Sequence, residues 1–206
     1  AGSINISSAL SGIAFYGANS NNIAIRDLTL NGEAVQPVGG LQRNIQLENC
    51  RRVSISGISS FQCQNQPITL DSCQYVSVYD CNLRNYWGAG ITVRNGCSQV
   101  NISNCTTREA GILGDLVSTV GRGILIWGSS KVNVVNCSCW SSTEYNFRVY
   151  SQSDDTKDCK QITISNLNLS DAGSIDLFIY NESGRISDIS ISNLFIETTG
   201  TGKSAV

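Results

Sequence analysis

The sequence contains no histidine and no methionine among its 206 residues. Without histidine, Ser-His catalysis, Cys-His catalysis and every histidine-ligated metal site are excluded. An acid–base enzyme built on this chain must therefore use Asp, Glu, Lys, Tyr or Arg side chains. We predict that the chain uses neither a metal ion nor another cofactor.

Net charge, proline and long apolar runs are also scarce. The formal net charge is −2, so no strongly basic surface indicates a nucleic acid or an anionic membrane as partner. No apolar run approaches the ~20 residues that a membrane-spanning helix needs, and we predict no membrane insertion. With only two prolines and no charge block, nothing marks a linker, and residues 1–206 are predicted to form a single domain.

Two short phrases alternate along the chain, and each has apolar residues at every second position, as buried strand faces do. The first phrase reads apolar-x-apolar-x-polar-apolar-x-apolar, and the second is a shorter run between copies of the first. The first phrase starts at Ile23, Val53, Val76, Val100, Val132, Ile162 and Ile189, and the second at Ile13, Ile45, Ile68, Ile91, Ile124, Phe147 and Ile175. The starts of the first phrase are 23 to 32 residues apart, which is typical of coils with insertions.

One polar column keeps its phase through all copies of the first phrase. It comprises Asp27, Gly57, Asp80, Asn104, Asn136, Asn166 and Asn193. Equivalent residues of stacked coils lie ~4.8 Å apart, so stacked Asn amides can bond to each other. A sandwich of short strands would need hairpin turns and would not keep seven columns in phase. We predict an all-β, right-handed parallel β-helix (solenoid) of about six to seven coils, with three parallel sheets and an Asn ladder.

On these columns, the sequence resembles the pectin-lyase-like superfamily of right-handed parallel β-helices over nearly its whole length. The resemblance implies that the second phrase forms the first sheet and that the first phrase forms the second and third sheets. It is strongest to the shafts of bacteriophage tailspikes, which implies a polysaccharide partner, a homotrimer and a place outside the cell or on the virion surface. The reaction does not follow, because this fold hosts many reactions. The GHG motif of polygalacturonases is excluded because the chain contains no histidine. Asp154 and Asp155 supply a DD pair, another polygalacturonase element, but they lie in a predicted loop.

Solenoid ends expose sheet edges that need caps, and no amphipathic capping helix is visible in the sequence. We therefore expect the chain to be a segment of a longer one, or to be protected by oligomerisation.

The nine cysteines fall mostly into inward columns. Cys81, Cys105 and Cys137 fill one column, whereas Cys50, Cys73 and Cys97 fill another. Stacked thiols at strand spacing behave as small buried hydrophobes, and disulfide geometry fits such a column poorly. We predict reduced thiols and folding in a reducing cytosol. Cys63 and Cys159 lie in predicted loops, where they could be exposed.

The outer face of the first sheet is predicted to carry the chemistry. Glu48 and Asp71 share a column on neighbouring strands, with Arg94 beside them, and we predict these three as catalytic residues. Glycoside hydrolysis needs two carboxyl groups across the scissile bond, ~5–5.5 Å apart for retention and ~6.5–9.5 Å for inversion. The alternative is a solvated ladder of ion pairs.

Aromatic and polar side chains continue the same face. The predicted substrate-binding residues are Trp87, Tyr86, Trp127, Arg148, Tyr150 and Asp176. Exposed aromatic rings can stack on sugar faces, although burial under a loop or a neighbouring subunit is the alternative. The long loops 31–44 and 108–123 would flank the short loops 61–67 and 84–90, and would thus wall a cleft across the strands of Asp71 and Arg94.

We therefore expect the chain to bind and cleave a bacterial surface polysaccharide as a glycoside hydrolase, which is favoured over a polysaccharide lyase. A non-catalytic glycan-binding module and a structural β-helix of a fibre or adhesin are the rival interpretations.

Overall fold

The computed structural model describes residues 2–5, 13–32, 43–113, 116–117, 120–151, 158–182 and 184–197. All secondary-structure elements in these ranges are β-strands. The strands are β1 (Gly2–Asn5), β2 (Ile13–Ala18), β3 (Asn21–Arg26), β4 (Leu28–Asn31), β5 (Arg43–Glu48), β6 (Arg51–Ser56), β7 (Ser59–Cys63), β8 (Ile68–Asp71), β9 (Gln74–Tyr79), β10 (Asn82–Tyr86), β11 (Ala89–Arg94), β12 (Ser98–Ser103), β13 (Thr106–Ala110), β14 (Ile112–Leu113), β15 (Leu116–Val117), β16 (Arg122–Trp127), β17 (Ser130–Trp140), β18 (Tyr145–Ser151), β19 (Cys159–Ser170), β20 (Ile175–Asn181) and β21 (Ile186–Glu197). Within this part of the chain, no helix is long and apolar enough to cross a membrane.

The strands stack as three parallel sheets. The first sheet has the order β2-β5-β8-β11-β16-β18-β20, one strand from each coil. The second sheet contains β3, β6, β9 and β12, and the third contains β1, β4, β7, β10 and β13. The long strands β17, β19 and β21 pass through the corner and belong to both, so that residues 130–135 of β17 pair with β12 and residues 138–140 pair with β13. The predicted parallel β-helix with three sheets is confirmed.

The interior is a set of apolar columns, one residue per coil. Ile45, Ile68, Ile91 and Ile124 stack in the first sheet, and each is fully buried. Burying such a side chain stabilises the folded state by about 1.5–3 kcal/mol relative to leaving it exposed. The apolar columns therefore hold the sheets together.

All nine cysteines are free and buried, including the two predicted columns. The expectation that Cys63 and Cys159 could be exposed is wrong, because they are 1% and 0% exposed. Cys63 ends β7 and Cys159 begins β19, so both belong to strands and point inward. Burial raises the pKa of Cys63 to about 12.

Residues in the left-handed backbone conformation mark the corners between sheets, with two of them, such as Asn49 and Arg52, at the corner between the first and second sheets. Four columns of such residues with positive φ run along the helix, and most members are not glycine. Asn and Asp tolerate this region better than other residues with a Cβ, which explains their frequency at the corners. One column contains Asp27, Gly57, Asp80, Asn104, Asn136, Asn166 and Asn193, with φ between 51° and 60°.

Side-chain hydrogen bonds connect successive members of this corner column from Asp80 to Asn193 and confirm the Asn ladder. Asn104 Nδ2 donates to Asp80 Oδ1 at 3.1 Å, and Asn136 Nδ2 donates to Asn104 Oδ1 at 3.3 Å. Asn166 Nδ2 continues to Asn136 Oδ1 at 2.8 Å, and Asn193 Nδ2 to Asn166 Oδ1 at 2.9 Å. Each amide thus fixes the phase of one coil against the next.

The predicted register of the first and last strands of the first sheet is wrong by two residues. The structure pairs Phe15 with Ile45, and Leu177 with Phe147. Both strands have apolar residues at successive odd positions, so an alternating pattern fits equally well after a shift of two. The consequence is that Tyr16 lies beside Gln46, and Ala18 lies beside Glu48.

Replacing Asn136 tests the ladder. Asn136→Ala removes two amide hydrogen bonds. It also places alanine, which tolerates the left-handed backbone conformation less well than asparagine, at φ 53°. The free energy of unfolding should therefore fall by about 2 kcal/mol. Asn136→Gly loses the hydrogen bonds but accepts the backbone conformation, and it should be less affected. Urea denaturation followed by circular dichroism measures both; wild-type stability in the Ala variant would contradict the ladder's role.

Thiol accessibility tests the burial of the cysteines. Since thiolates are the reactive species and all nine side chains are buried, a soluble disulfide reagent should modify none of them rapidly in the folded protein. In denaturant without reductant, the same reagent should titrate nine thiols. Fewer than nine would show that disulfides had formed.

Candidate functional site

Glu48 and Asp71 are direct neighbours across β5 and β8. Glu48 accepts hydrogen bonds from neutral groups, with the Gln46 amide bonded to Oε1 and the Tyr16 hydroxyl bonded to Oε2 at 2.9 Å. The hydrogen bond to Glu48 raises the pKa of Tyr16, because deprotonation would place two negative oxygens together. Among the described residues, no cationic group forms an ion pair with Glu48.

Asp71 has a different environment. Its Oδ2 accepts hydrogen bonds from Arg94 Nε and from Asn95 Nδ2, both at 2.9 Å. Its Oδ1 accepts a bond from the Ser72 hydroxyl at 3.1 Å. The ion pair between Asp71 and Arg94 is mostly shielded, with side-chain exposures of 16% and 21%. Asp71 is thus paired with a cation, whereas Glu48 is not paired with any in the described part of the chain.

Arg43 is a member of this group that the sequence analysis missed. Arg43 Nη1 donates to Gln46 Oε1 at 2.5 Å, and Gln46 in turn bonds Glu48. Burial lowers the pKa of Arg43, and the nearby charge of Arg94 acts in the same direction. Arg43 falls in the predicted loop 31–44 and was therefore not among the predicted site residues, although it immediately precedes the alternating run of β5.

Arg148 is the centre of an aromatic cluster on the later coils of the same sheet. Its guanidinium carbon lies 4.2 Å from the ring centroid of Tyr150, 5.1 Å from that of Tyr145 and 5.5 Å from that of Phe178. Burial lowers the pKa of Arg148, and the charge of Arg122 adds to the effect. Such cation–π contacts fix the guanidinium in the face of the sheet.

Most rings of this cluster lie face to face with one another. Tyr150 and Tyr180 are 5.9 Å apart at an interplanar angle of 8°, and Phe178 and Tyr180 are 5.5 Å apart at 14°. Trp127 is different, because it is tilted by 50° against Tyr150 at 6.1 Å. A ring stacked on its neighbour offers only its edge to a ligand on that side, so the tilted indole is the better sugar platform.

An open groove of about 270 Å³ lies beside Trp127. It is lined by Arg122, Leu125, Trp127, Arg148 and Tyr150. Arg122 forms an ion pair with Glu144 at 2.6 Å, which holds one wall. The buried Nε1 atom of Trp127 has no hydrogen-bond partner in the part of the chain that the structure describes. The groove therefore combines an aromatic surface with cationic donors.

Two predicted binding residues do not reach this face. Tyr86 is completely buried, since the left-handed residue Asn85 resets the alternation of β10 and turns Tyr86 inward. Asp176 is 2% exposed, because the observed register sets it beside the fully buried Asn146 at the start of β18. It accepts hydrogen bonds from the Asn146 amide and from the backbone N–H of Ala172. Trp87 is half-buried at the end of β10, and its backbone N–H donates to Cys63.

The predicted cleft walls fall largely on residues 33–42, 114–115 and 118–119, which lie outside the described residues. In the interval 108–123, β14 and β15 pair as a short antiparallel hairpin. The prediction of a short loop at residues 84–90 is partly wrong, because Arg84 and Tyr86 belong to β10.

A family model described as "Right handed beta helix region" matches residues 3–137. A search of curated proteins finds no match. Among solved structures, pectate lyase Pel9A is similar with a TM-score of 0.54 at 10% identity, over 71% of this chain and 38% of that chain. The periplasmic alginate epimerase AlgG has a TM-score of 0.53 at 9% identity, over 90% and 47%. The chain thus spans less than half the length of these two structures, and the likeness concerns the fold.

The Tyr16–Glu48 contact can be tested by titration. In Glu48→Gln, the pKa of Tyr16 should fall towards its ordinary value, because the neutral amide no longer penalises the phenolate. Carbon-13 NMR of the tyrosine ring gives this pKa directly. Tyr150 is the internal control, since its own pKa is raised by a hydrogen bond to Glu182 and should not change. An unchanged Tyr16 pKa would contradict the contact.

Proposed function

Since this chain belongs to the right-handed beta helix region family, we propose that the outer face of its first sheet binds a polysaccharide and that Glu48 and Asp71 hydrolyse it. The observation that carries the proposal is a continuous face along one sheet. It runs from the carboxylate pair through Arg94 to the groove at Trp127. At ~4.8 Å per strand, Asp71 and Trp127 are about 10 Å apart along the axis, a separation that an extended glycan can bridge.

The groove favours a sugar ligand over a purely apolar one. Trp127 can stack on the C–H face of a sugar ring, while Arg122, Arg148 and the Tyr150 hydroxyl can bond its polar groups. Two solved structures of similar fold are named as a pectate lyase and an alginate epimerase, which supports a polysaccharide as the class of ligand.

Hydrolysis would divide the work between the two carboxyl groups. Glu48 is assigned to the leaving glycosidic oxygen, to which it donates a proton, because the other carboxyl group, Asp71, is engaged by Arg94. Asp71 acts on the opposite side, either on water or on the anomeric carbon, and Arg94 positions it. Water supplies a hydroxyl to the anomeric carbon and a proton to the leaving group, so the atoms balance. A lyase using Arg94 as base is less favoured, because that guanidinium is engaged by Asp71.

Binding without cleavage is the second candidate. The oxygens of both carboxylates already accept hydrogen bonds from neighbouring side chains, as they would in a purely structural ladder. In this case the same face would hold the glycan through Trp127 and the cations alone.

The proposed setting is outside the cell or on the surface of a virion, after folding in a reducing cytosol. The free, buried thiols fit that folding environment. A homotrimer is proposed as well, and exposed apolar side chains on the last coil, such as Tyr180 and Phe195, would suit subunit contacts.

Cleavage is tested after a glycan array has provided a ligand. Glu48→Gln and Asp71→Asn should each lower the depolymerisation rate by about 10²–10⁴-fold while binding remains, and Glu197→Gln, on the exposed third sheet, is the matched control. Mass spectrometry of wild-type products should show the gain of one water. Full activity in both variants would refute the catalytic pair, and an unsaturated product would identify a lyase.

Binding is tested separately by calorimetry with the same ligand. Trp127→Ala should weaken the affinity by about tenfold or more, which corresponds to a loss of ~1.4 kcal/mol. Tyr75→Asn removes an exposed ring from the second sheet and should leave the affinity unchanged. Equal affinities for the wild type and the Trp127 variant would exclude this groove as the binding site.

A further inference from the structure

The outer face of the third sheet carries a ladder of two cations between two aromatic rings. Phe61, Arg84, Arg108 and Trp140 are successive register partners on β7, β10, β13 and β17. They point outward because each comes three residues after an inward corner residue: Ile58, Cys81, Cys105 and Cys137, respectively. We refer to these four residues as the arginine ladder.

Each guanidinium of the ladder packs against the ring at its own end. The guanidinium carbon of Arg84 lies 4.4 Å from the Phe61 centroid, and that of Arg108 lies 5.9 Å from the Trp140 centroid. The rings thus position the two cations, and they do so without neutralising them.

Two like charges on neighbouring strands are unfavourable unless an anion compensates them. The Glu109 carboxylate is 3.9 Å from Arg84 Nε, but it is also bonded by the Asn85 amide. Among the described residues, Arg108 forms no ion pair, and its buried Nε has no hydrogen-bond partner. The ladder therefore has more positive charge than its surroundings compensate.

An open groove of about 240 Å³ lies at this point. Its wall includes Phe61 and both guanidiniums, together with the short polar side chains of Thr29, Ser59 and Asn82. These three also stack in register, so hydroxyl and amide groups form a column beside the arginine ladder. The groove thus offers cations, neutral hydrogen-bonding groups and the edge of one apolar ring in a single space.

We propose that this groove binds an oxyanion carried on a sugar ring, either a carboxylate or a sulfate ester. The oxyanion lies between Arg84 and Arg108, which can each donate two parallel hydrogen bonds. The sugar hydroxyls bond Ser59 and Asn82, and the sugar ring lies against the edge of Phe61, because the Arg84 guanidinium covers a face of that ring. This site is on a different sheet from the Glu48–Asp71 pair, so it holds whether or not the first sheet is catalytic.

The test follows the side-chain Nε–Hε signals of Arg84 and Arg108 by nitrogen-15 NMR at constant ionic strength. The probes are glucuronate, glucose 6-sulfate and neutral glucose. We expect at least one anionic sugar to shift both signals saturably and glucose to shift neither, and the tighter anion identifies the oxyanion. Equal shifts with glucose, or no shift with either anion, would overturn the proposal.

Variants assign the signals and exclude a general charge effect. Arg84→Gln and Arg108→Gln should each weaken binding of the preferred sugar by about tenfold or more. Arg51→Gln is the matched control, because Arg51 packs over Tyr75 at 5.5 Å on the second sheet but is not part of the ladder. If Arg51→Gln weakens binding as much as Arg108→Gln does, the site is not at the ladder.

Discussion

The rest of this structure depends on keeping successive coils in phase at the spacing of parallel strands. Left-handed corner residues turn the chain at fixed points, and the amides of Asn104, Asn136, Asn166 and Asn193 bond each coil to the one before it. Because the corners are fixed, the additional residues of the longer coils lie outside the paired strands. Each interior column can then accept one apolar side chain or thiol per coil.

The same phase turns the outer surface into ladders, and the proposed functions rest on what each ladder displays. On the first sheet, the order along the axis is carboxylates, then Arg94, then Trp127 with the Arg148 cluster. On the third sheet, Arg84 and Arg108 are register partners that line a separate groove. A long polymer suits such surfaces, because its units repeat along one direction and the side chains of each ladder also repeat along one direction.

The sequence alone was sufficient for the fold, because the corner column and the inward column keep their phase in every coil. It was insufficient wherever a left-handed residue or an ambiguous alternation decided the direction of a side chain. Asn85 turns Tyr86 inward, and the observed register sets Asp176 beside the buried Asn146 instead of Arg148, so both residues were placed on the wrong face. Arg84 and Arg108 were missed because they were assigned to loops, although their constant offset from Cys81 and Cys105 was readable in the sequence.

The stacking of coils in register is tested most directly by distances along one column. Ser54, Ser77, Thr163 and Ser190 belong to a single register column of the second sheet. Spin labels attached through an introduced keto amino acid avoid the native thiols, and pulsed electron resonance measures their separations. From Ser54, the label distance should increase from Thr163 to Ser190 by one strand spacing, ~4.8 Å, and reach about 24 Å at Ser190. Distances that do not increase from coil to coil would contradict the account.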